Sequence, residues 1–131
     1  MANFDTVKKY LFELGFAIEK EDKENELVII SDKLCGINNL IIDCEEPIII
    51  LEQFIFKLKD TQNSEVLSSL LKMNRTLVHG AFVLDETGEN VLYRDTLQLE
   101  NLDLNELKGS IDSLILAMAE HARTFIEFMQ K

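Results

Sequence analysis

Hydrophobic residues recur every three or four positions near both ends of the chain, which is the spacing of an amphipathic helix. This pattern predicts a first helix over residues 4–14, with Asn3 as its N-cap and Gly15 as the residue that ends it. It also predicts a last helix over 104–129. That helix is about 39 Å long at the usual rise per residue, which is comparable to the diameter of a domain of this size.

Two further signals concern helices. The Val and Leu residues after Ser64, a candidate N-cap, predict a middle helix over 64–74. The last helix begins with Asp103 and Glu106 at capping-box spacing. Gly109 lies inside that helix, where glycine costs about 1 kcal/mol relative to alanine. This glycine indicates either close packing near the first turn or no structural role at all.

Runs of β-branched and aromatic residues predict strands between the helices. A first hairpin is predicted over 16–30, around a polar connector. A second hairpin is predicted over 80–93 around the polar turn 85–90, and its second strand continues to Leu99. Residues 40–42 form a predicted short strand.

Residues 47–58 allow two interpretations. A helix could begin at Pro47. A strand is favoured, because three consecutive isoleucines and two phenylalanines are typical of sheets. In that strand one face carries Ile48, Ile50, Phe54 and Phe56, and the other carries Ile49, Leu51 and Ile55. Both faces are apolar and need covering, either by a two-sided core or by a partner.

The predicted order of elements is α-β-β-(β)-β-α-β-β-α. This order indicates an α+β fold with an antiparallel-rich sheet and helices packed on it. No repeat, low-complexity tract or linker interrupts the 131 residues, so a single domain over 1–131 is expected.

Charge narrows the classes of partner. The chain has 24 acidic and 13 basic residues, and its formal net charge is −11. This balance argues against a protein that binds nucleic acid, because such proteins need a cationic surface. It also argues against a protein that docks on anionic lipid. The chain starts without a cationic leader before an apolar stretch, and no apolar run is long enough to span a bilayer. A cytoplasmic protein is therefore expected.

Candidate metal ligands are few and widely separated. Cys35, Cys44, His79 and His121 show no paired-ligand spacing, so neither a metal nor another cofactor is expected. The two cysteines are expected to be free thiols.

Carboxylates crowd a turn at Asp43, Glu45 and Glu46. A small enzyme or ligand-binding domain could combine this acidic turn with His79 or Cys44, and this is the alternative to a turn that is simply solvated. Neighbouring carboxylates make Cys44 a poor nucleophile, because they raise the pKa of a thiol.

The stretch 70–88 contains a helix end at Asn74, a short loop, the Gly80-Ala81-Phe82 start of a strand and an Asp–Gly turn. Together with the 91–99 strand and the long last helix, it resembles the YbjN / type III secretion (Tir) chaperone-like family of bacterial proteins. The likeness extends over nearly the whole chain.

This resemblance implies a small cytosolic homodimer without a cofactor or an active site. Secretion chaperones of the family hold the N-terminal segment of an export substrate in extended form against apolar patches. We therefore expect a non-enzymatic, chaperone-like homodimer that binds an extended or amphipathic segment of a partner protein, by strand addition or in a groove. The expected partner or dimer contact is formed by Ile48, Ile50, Phe54 and Phe56.

Overall fold

A computed structural model describes residues 2–131 and confirms the predicted order of elements. The helices are α1 (Phe4–Glu13), α2 (Ser64–Met73) and α3 (Leu104–Phe128). The strands are β1 (Ile18–Asp22), β2 (Leu27–Asp32), β3 (Ile37–Glu45), β4 (Ile48–Lys57), β5 (Ala81–Leu84) and β6 (Asn90–Gln98). Two 3₁₀ turns, η1 (Lys33–Cys35) and η2 (Asn74–Thr76), follow β2 and α2.

Polar side chains begin the helices where the sequence pattern indicates, with one exception. Asn3 and Thr6 form a capping box at α1, in which each side chain accepts the backbone N–H of the other residue. Asp103 caps α3 by accepting a backbone N–H of the first turn at 2.8 Å. The predicted cap of α2 is wrong by one residue. Asn63 has the extended backbone of a cap and accepts the N–H, while Ser64 is already helical.

The six strands form one antiparallel sheet in the order β1-β2-β3-β4-β6-β5. Strand β4 lies inside the sheet and pairs with β3 on one side and with β6 on the other. The helical interpretation of residues 47–58 is therefore wrong. The sheet has two edges, β1 and β5.

The core lies between the three helices and one face of the sheet, which we call the inner face. Buried strand residues on it are Val28, Ile30, Leu40, Ile42, Ile49, Leu51, Phe56, Phe82, Val91 and Tyr93. Helical residues in the same cluster include Val7, Leu11, Val66, Leu70, Leu107, Ile111 and Leu114. Within residues 2–131, no helix is long and apolar enough to cross a membrane.

Gly109 lies where α3 meets the loop that precedes β5. A Cβ atom at Gly109 would lie 2.9 Å from His79 Nε2, so the first alternative, close packing, is confirmed. Ser113 holds the same loop by donating its hydroxyl to the His79 carbonyl at 2.7 Å. Tyr93 on β6 donates to the Ser110 carbonyl at 2.8 Å. These contacts attach β5 and β6 to the first half of α3.

Candidate functional site

A bulge in β4 decides which of its residues face the core. The pairing with β6 shifts between Phe54 and Phe56. Ile48, Ile50 and Phe54 lie on one face of the strand, as predicted, and this is the outer face of the sheet. Phe56 lies on the inner face and is only 1% exposed. The prediction that Phe56 shares a face with the other three is wrong, because the extra residue of a bulge interrupts strict alternation.

The outer face of the sheet carries several partly exposed apolar residues, and the core that the helices share with the sheet lies on the opposite face. We call the patch formed by Ile29, Ile41, Ile48, Ile50, Phe54, Val83 and Leu92 the open face. The strand register places Ile29 opposite Ile41, Phe54 opposite Leu92, and Leu92 opposite Val83. Ile48 and Ile50 instead stand opposite polar or charged residues of β3 and β6. Phe54 is 55% exposed. Exposed apolar surface of this kind is typical of protein contact sites.

Charged residues interrupt the open face at two places. Glu52 on β4 forms an ion pair with Arg94 on β6. Asp43 on β3 stands opposite Ile50, and one of its carboxylate oxygens is buried without a hydrogen-bond partner. Partial burial raises the pKa of Asp43, and the neighbouring Glu45 carboxylate raises it further. A raised pKa makes this carboxyl easier to neutralise, which lowers the penalty for covering it with apolar surface.

A second apolar surface lies between α2 and the edge strand β5, and we call it the α2–β5 groove. Its cavity has a volume of about 510 Å³ and is lined by Leu67, Leu70, Leu71, Asn74, Ala81, Phe82, Val83 and Leu84. Leu71 stands on the helix side of the groove and is 70% exposed, and Leu84 is exposed on the strand side. Val83 belongs to both surfaces, so the groove adjoins the open face along β5.

The edge of β5 is partly closed by a side chain of the same protein. Asn74 Nδ2 donates to the Phe82 carbonyl at 3.1 Å, and the Phe82 N–H donates to Asn74 Oδ1 at 2.8 Å. One carboxamide therefore takes the two backbone hydrogen bonds that an added strand would need at Phe82. The other edge, β1, carries the consecutive charges Glu19, Lys20 and Glu21. Both devices are typical of edges that are protected against strand addition.

The residues of the alternative, enzymatic site do not share one surface. Asp43 lies on the outer face of β3, whereas Cys44 is buried on its inner face. His79 contacts α3 instead, through Ser113 and the Gly109 position. Burial and nearby carboxylates raise the pKa of the Cys44 thiol to about 12. This thiol is protonated at neutral pH, which makes it a poor nucleophile or metal ligand.

The two cysteines are free, with Cys35 exposed and Cys44 buried. In the part of the chain that the structure describes, no three His, Cys, Asp or Glu side chains are grouped so that they could hold a metal ion.

Comparison with known proteins gives this architecture a family. The model of the CesT_Tir_1 family matches residues 1–131. The chain belongs to the CesT_Tir_1 family. No curated protein matches the sequence.

Solved structures show the type III secretion chaperone-like fold in proteins of very different sequence. YbjN from E. coli, a candidate transcription regulator, is 12% identical, with a TM-score of 0.68 over 93% of this chain and 92% of that one. A chain of the HopA1–SchA chaperone–effector complex is 14% identical, with a TM-score of 0.63 over 98% and 94%. The Yersinia pestis type III secretion chaperone SycH, in complex with a stable fragment of YscM2, is 14% identical, with a TM-score of 0.62 over 89% and 98%.

The periodicity of the sequence does not predict two features of this CesT_Tir_1 member. The α2–β5 groove joins two elements that belong to separate predicted units, a helix and a hairpin. The role of Asn74 was also missed, although the stretch from Asn74 to Phe82 carries the family resemblance. The sequence signal for this role was an asparagine at the end of a helix, eight residues before the middle of an edge strand.

Proposed function

We propose that this protein is a non-enzymatic, chaperone-like module that forms a homodimer and holds an apolar segment of a partner protein. Its family and its fold support this function. So do the complexes in which SchA is paired with an effector and SycH with a fragment of YscM2. A partner protein fits the net charge of −11 better than nucleic acid does, because a nucleic-acid surface has to be cationic.

The observation that carries the proposal is the open face. Ile48, Ile50 and Phe54 share the outer face of β4, where Phe54 is 55% exposed and the two isoleucines are half-buried. A sheet face of this kind is stabilised when apolar side chains of another polypeptide cover it. In our proposal these three residues contact the partner segment, and Phe56 supports them from the core.

The protected edges support binding against side chains over strand addition. Strand addition requires a row of free backbone donors and acceptors, and Asn74 already occupies those of Phe82. The partner segment therefore lies against apolar side chains rather than extending the sheet.

We assign the second copy of the chain to the α2–β5 groove. A two-fold dimer buries the same patch on both subunits, so that patch has to offer both a ridge and a furrow. The exposed Leu71 and Leu84 provide ridges on either side of the cavity.

The absence of catalysis is also part of the proposal. Asp43 and Cys44 face opposite sides of the sheet, and the Cys44 thiol has a pKa of about 12. An acid–base or nucleophilic mechanism needs its groups within hydrogen-bonding reach of one another.

Site-specific photocrosslinking tests the open face. A benzophenone amino acid at position 54 is expected to capture apolar segments of a small set of proteins in the native cell extract. The same amino acid at Phe12, an exposed aromatic residue on α1, serves as the matched control. Equal adducts at both positions, or none at position 54, would contradict a binding role for the open face.

Light scattering tests the dimer. The wild type is expected to have twice the mass of one chain, and Leu71→Asp is expected to give the mass of one chain because it places a charge in the groove. Phe12→Asp is the matched control and should remain dimeric. If Phe54→Asp but not Leu71→Asp yields a monomer, the second copy lies on the open face instead.

A further inference from the structure

Helix α3 has a second apolar stripe beside the one that faces the sheet, and its first residue, Ile115, also packs against the core. Ile115, Ala119, Ala122, Ile126 and Met129 follow one another at intervals of four, three, four and three residues, and the stripe is about 21 Å long. Ile126 is 58% exposed, and both alanines are exposed. This interval pattern is that of the seam between two packed helices. The inner stripe of α3 is already buried against the sheet, so the second stripe is available to another helix.

A groove lies beside the first half of this stripe, between α3 and the turn η1. Its cavity of about 440 Å³ is lined by Lys33, Leu34, Cys35, Gly36, Ile115, Met118, Ala119 and Ala122. Leu34 is completely exposed and forms the outer wall. We call this surface the α3–η1 groove. A second cavity of about 350 Å³ shares Lys33, Gly36 and Met118 with it and continues to Phe54 on the open face.

Gly36 determines how close η1 comes to α3. Its φ of 83° is in the left-handed region, and a Cβ atom on it would lie 2.7 Å from Met118 Cβ. The turn therefore approaches the helix more closely than a residue with a side chain would allow. Leu34 on η1 and the small side chains of Ala119 and Ala122 on α3 consequently line the same groove.

The physical properties of the groove select a helix as its occupant. The groove lies between a helix and a turn, and neither sheet edge borders it. An extended segment there would find no strand to pair with, so its backbone donors and acceptors would depend on water for their hydrogen bonds. A helix pairs these groups internally, and the small side chains at Ala119 and Ala122 let its axis approach α3 closely.

Charge selects the polar part of that helix. Lys33 lines both cavities, and Arg123 follows Ala122 on the exposed side of α3. Within residues 2–131 neither cation forms an ion pair, and Glu120 on the same helix lies 3.6 Å from His121. In a chain with a net charge of −11, two free cations beside an apolar groove favour carboxylates on the partner.

We propose that the α3–η1 groove binds an amphipathic helix of a partner protein, with the apolar stripe of that helix on Ile115, Ala119 and Ala122 and an acidic residue at Lys33. This inference rests on the proposed protein-binding function, which it extends with a second site and a defined type of ligand. A partner segment that crosses the open face at Phe54 can continue into this groove as a helix.

Panning of a peptide display library, with random segments of about 20 residues, tests the proposal on the full chain. Enriched peptides are expected to have apolar residues at three- and four-residue intervals and at least one Asp or Glu. Synthetic copies with a central proline are expected to bind at least about tenfold more weakly, which corresponds to about 1.4 kcal/mol. Enrichment of alternating sequences, or no enrichment, would overturn the helical site.

Variants locate the binding on the protein. Ala122→Glu and Lys33→Glu are each expected to weaken an enriched acidic peptide by about tenfold or more, while a Lys-for-Glu copy of the peptide is expected to regain affinity for Lys33→Glu. Asn105→Glu on α3 and Lys23→Glu in the β1–β2 turn add the same charges at exposed positions away from the groove. They are expected to leave binding unchanged.

The two proposals fail in different ways. If Ile50→Asp abolishes peptide binding while Ala122→Glu and Lys33→Glu do not, the open face binds partners and the α3–η1 groove does not. If Ala122→Glu converts a dimer into a monomer in light scattering, the groove holds a second copy of the chain, and the proposal of a partner helix is wrong. If crosslinking at position 54 gives no specific adducts but the groove variants still weaken the peptide, the groove stands without the open face.

Discussion

Because of the bulge in β4, we expect alanine substitutions of two nearby phenylalanines to change the free energy of unfolding by very different amounts. Phe54 and Phe56 are separated by one residue and would lie on the same face of a regular strand. In the structure they lie on opposite faces, and their exposed fractions are 55% and 1%. Replacing each with alanine therefore measures the register of the strand directly.

The magnitude follows from the surroundings of each ring. The centroid of the Phe56 ring lies 5.5 Å from that of Phe125 and 6.2 Å from that of Phe128. Phe56→Ala therefore removes the contacts that β4 makes with these two rings at the end of α3. Truncation of a buried phenylalanine costs about 3–5 kcal/mol, a large share of the total stability of about 5–15 kcal/mol expected for a domain. Phe54→Ala is expected to change the free energy of unfolding by about 0.5 kcal/mol or less.

Equilibrium unfolding in urea, at one fixed protein concentration, measures both values. For a denaturant slope of about 2 kcal/mol per M, Phe56→Ala is expected to lower the midpoint by about 2 M. Phe54→Ala should leave the midpoint within a few tenths of a molar unit. The fixed concentration is required because dimerisation adds a concentration-dependent contribution to stability.

Equal losses for the two variants would refute the bulge, since both residues would then be equally buried. A larger loss at Phe54 would place the open face in the core and invert the assignment of the two sides of β4. A Phe54→Ala variant of normal stability that loses the dimer mass would instead place this exposed ring in the contact between subunits.

Three more outcomes are expected. Asn74→Ala removes both hydrogen bonds to the backbone of Phe82 and should lower the free energy of unfolding by about 1–3 kcal/mol in urea; an unchanged midpoint would show that water replaces the carboxamide. Hydrogen bonds within the β5–β6 turn hold the pKa of Asp85 at about 2, below its ordinary 3.8, so its contribution to stability is present above about pH 4 and is lost as the pH falls through about 2. Acid titration of Asp85→Ala should consequently show a shallower loss of stability in that interval than the wild type. A thiol reagent should modify Cys35 in the native protein, slowed by the hydrogen bond with Asp32 that raises the pKa of this thiol, but Cys44 only after unfolding because Cys44 is buried; modification of both thiols in the native protein would contradict this.

Local patterns were enough to predict the elements. The helices at both ends of the chain follow from apolar residues at helical spacing between side chains that cap them, because capping and periodicity act within one or two turns. The β5–β6 hairpin likewise follows from its polar turn. The strand character of residues 47–58 came from the rotamer preferences of isoleucine and phenylalanine, and the sheet confirms it.

Tertiary structure decided which surfaces are exposed. The side of β4 that carries Phe56 depends on a bulge whose register is set by pairing with β6, a strand some 40 positions further along the chain. The α2–β5 groove and the α3–η1 groove each join segments that are distant in sequence. No periodicity within one element predicts such a surface, because its shape depends on how two elements approach each other. The sequence alone therefore determined an acidic α+β chain with more apolar residues than one side of a sheet requires, and packing determined where that excess faces solvent.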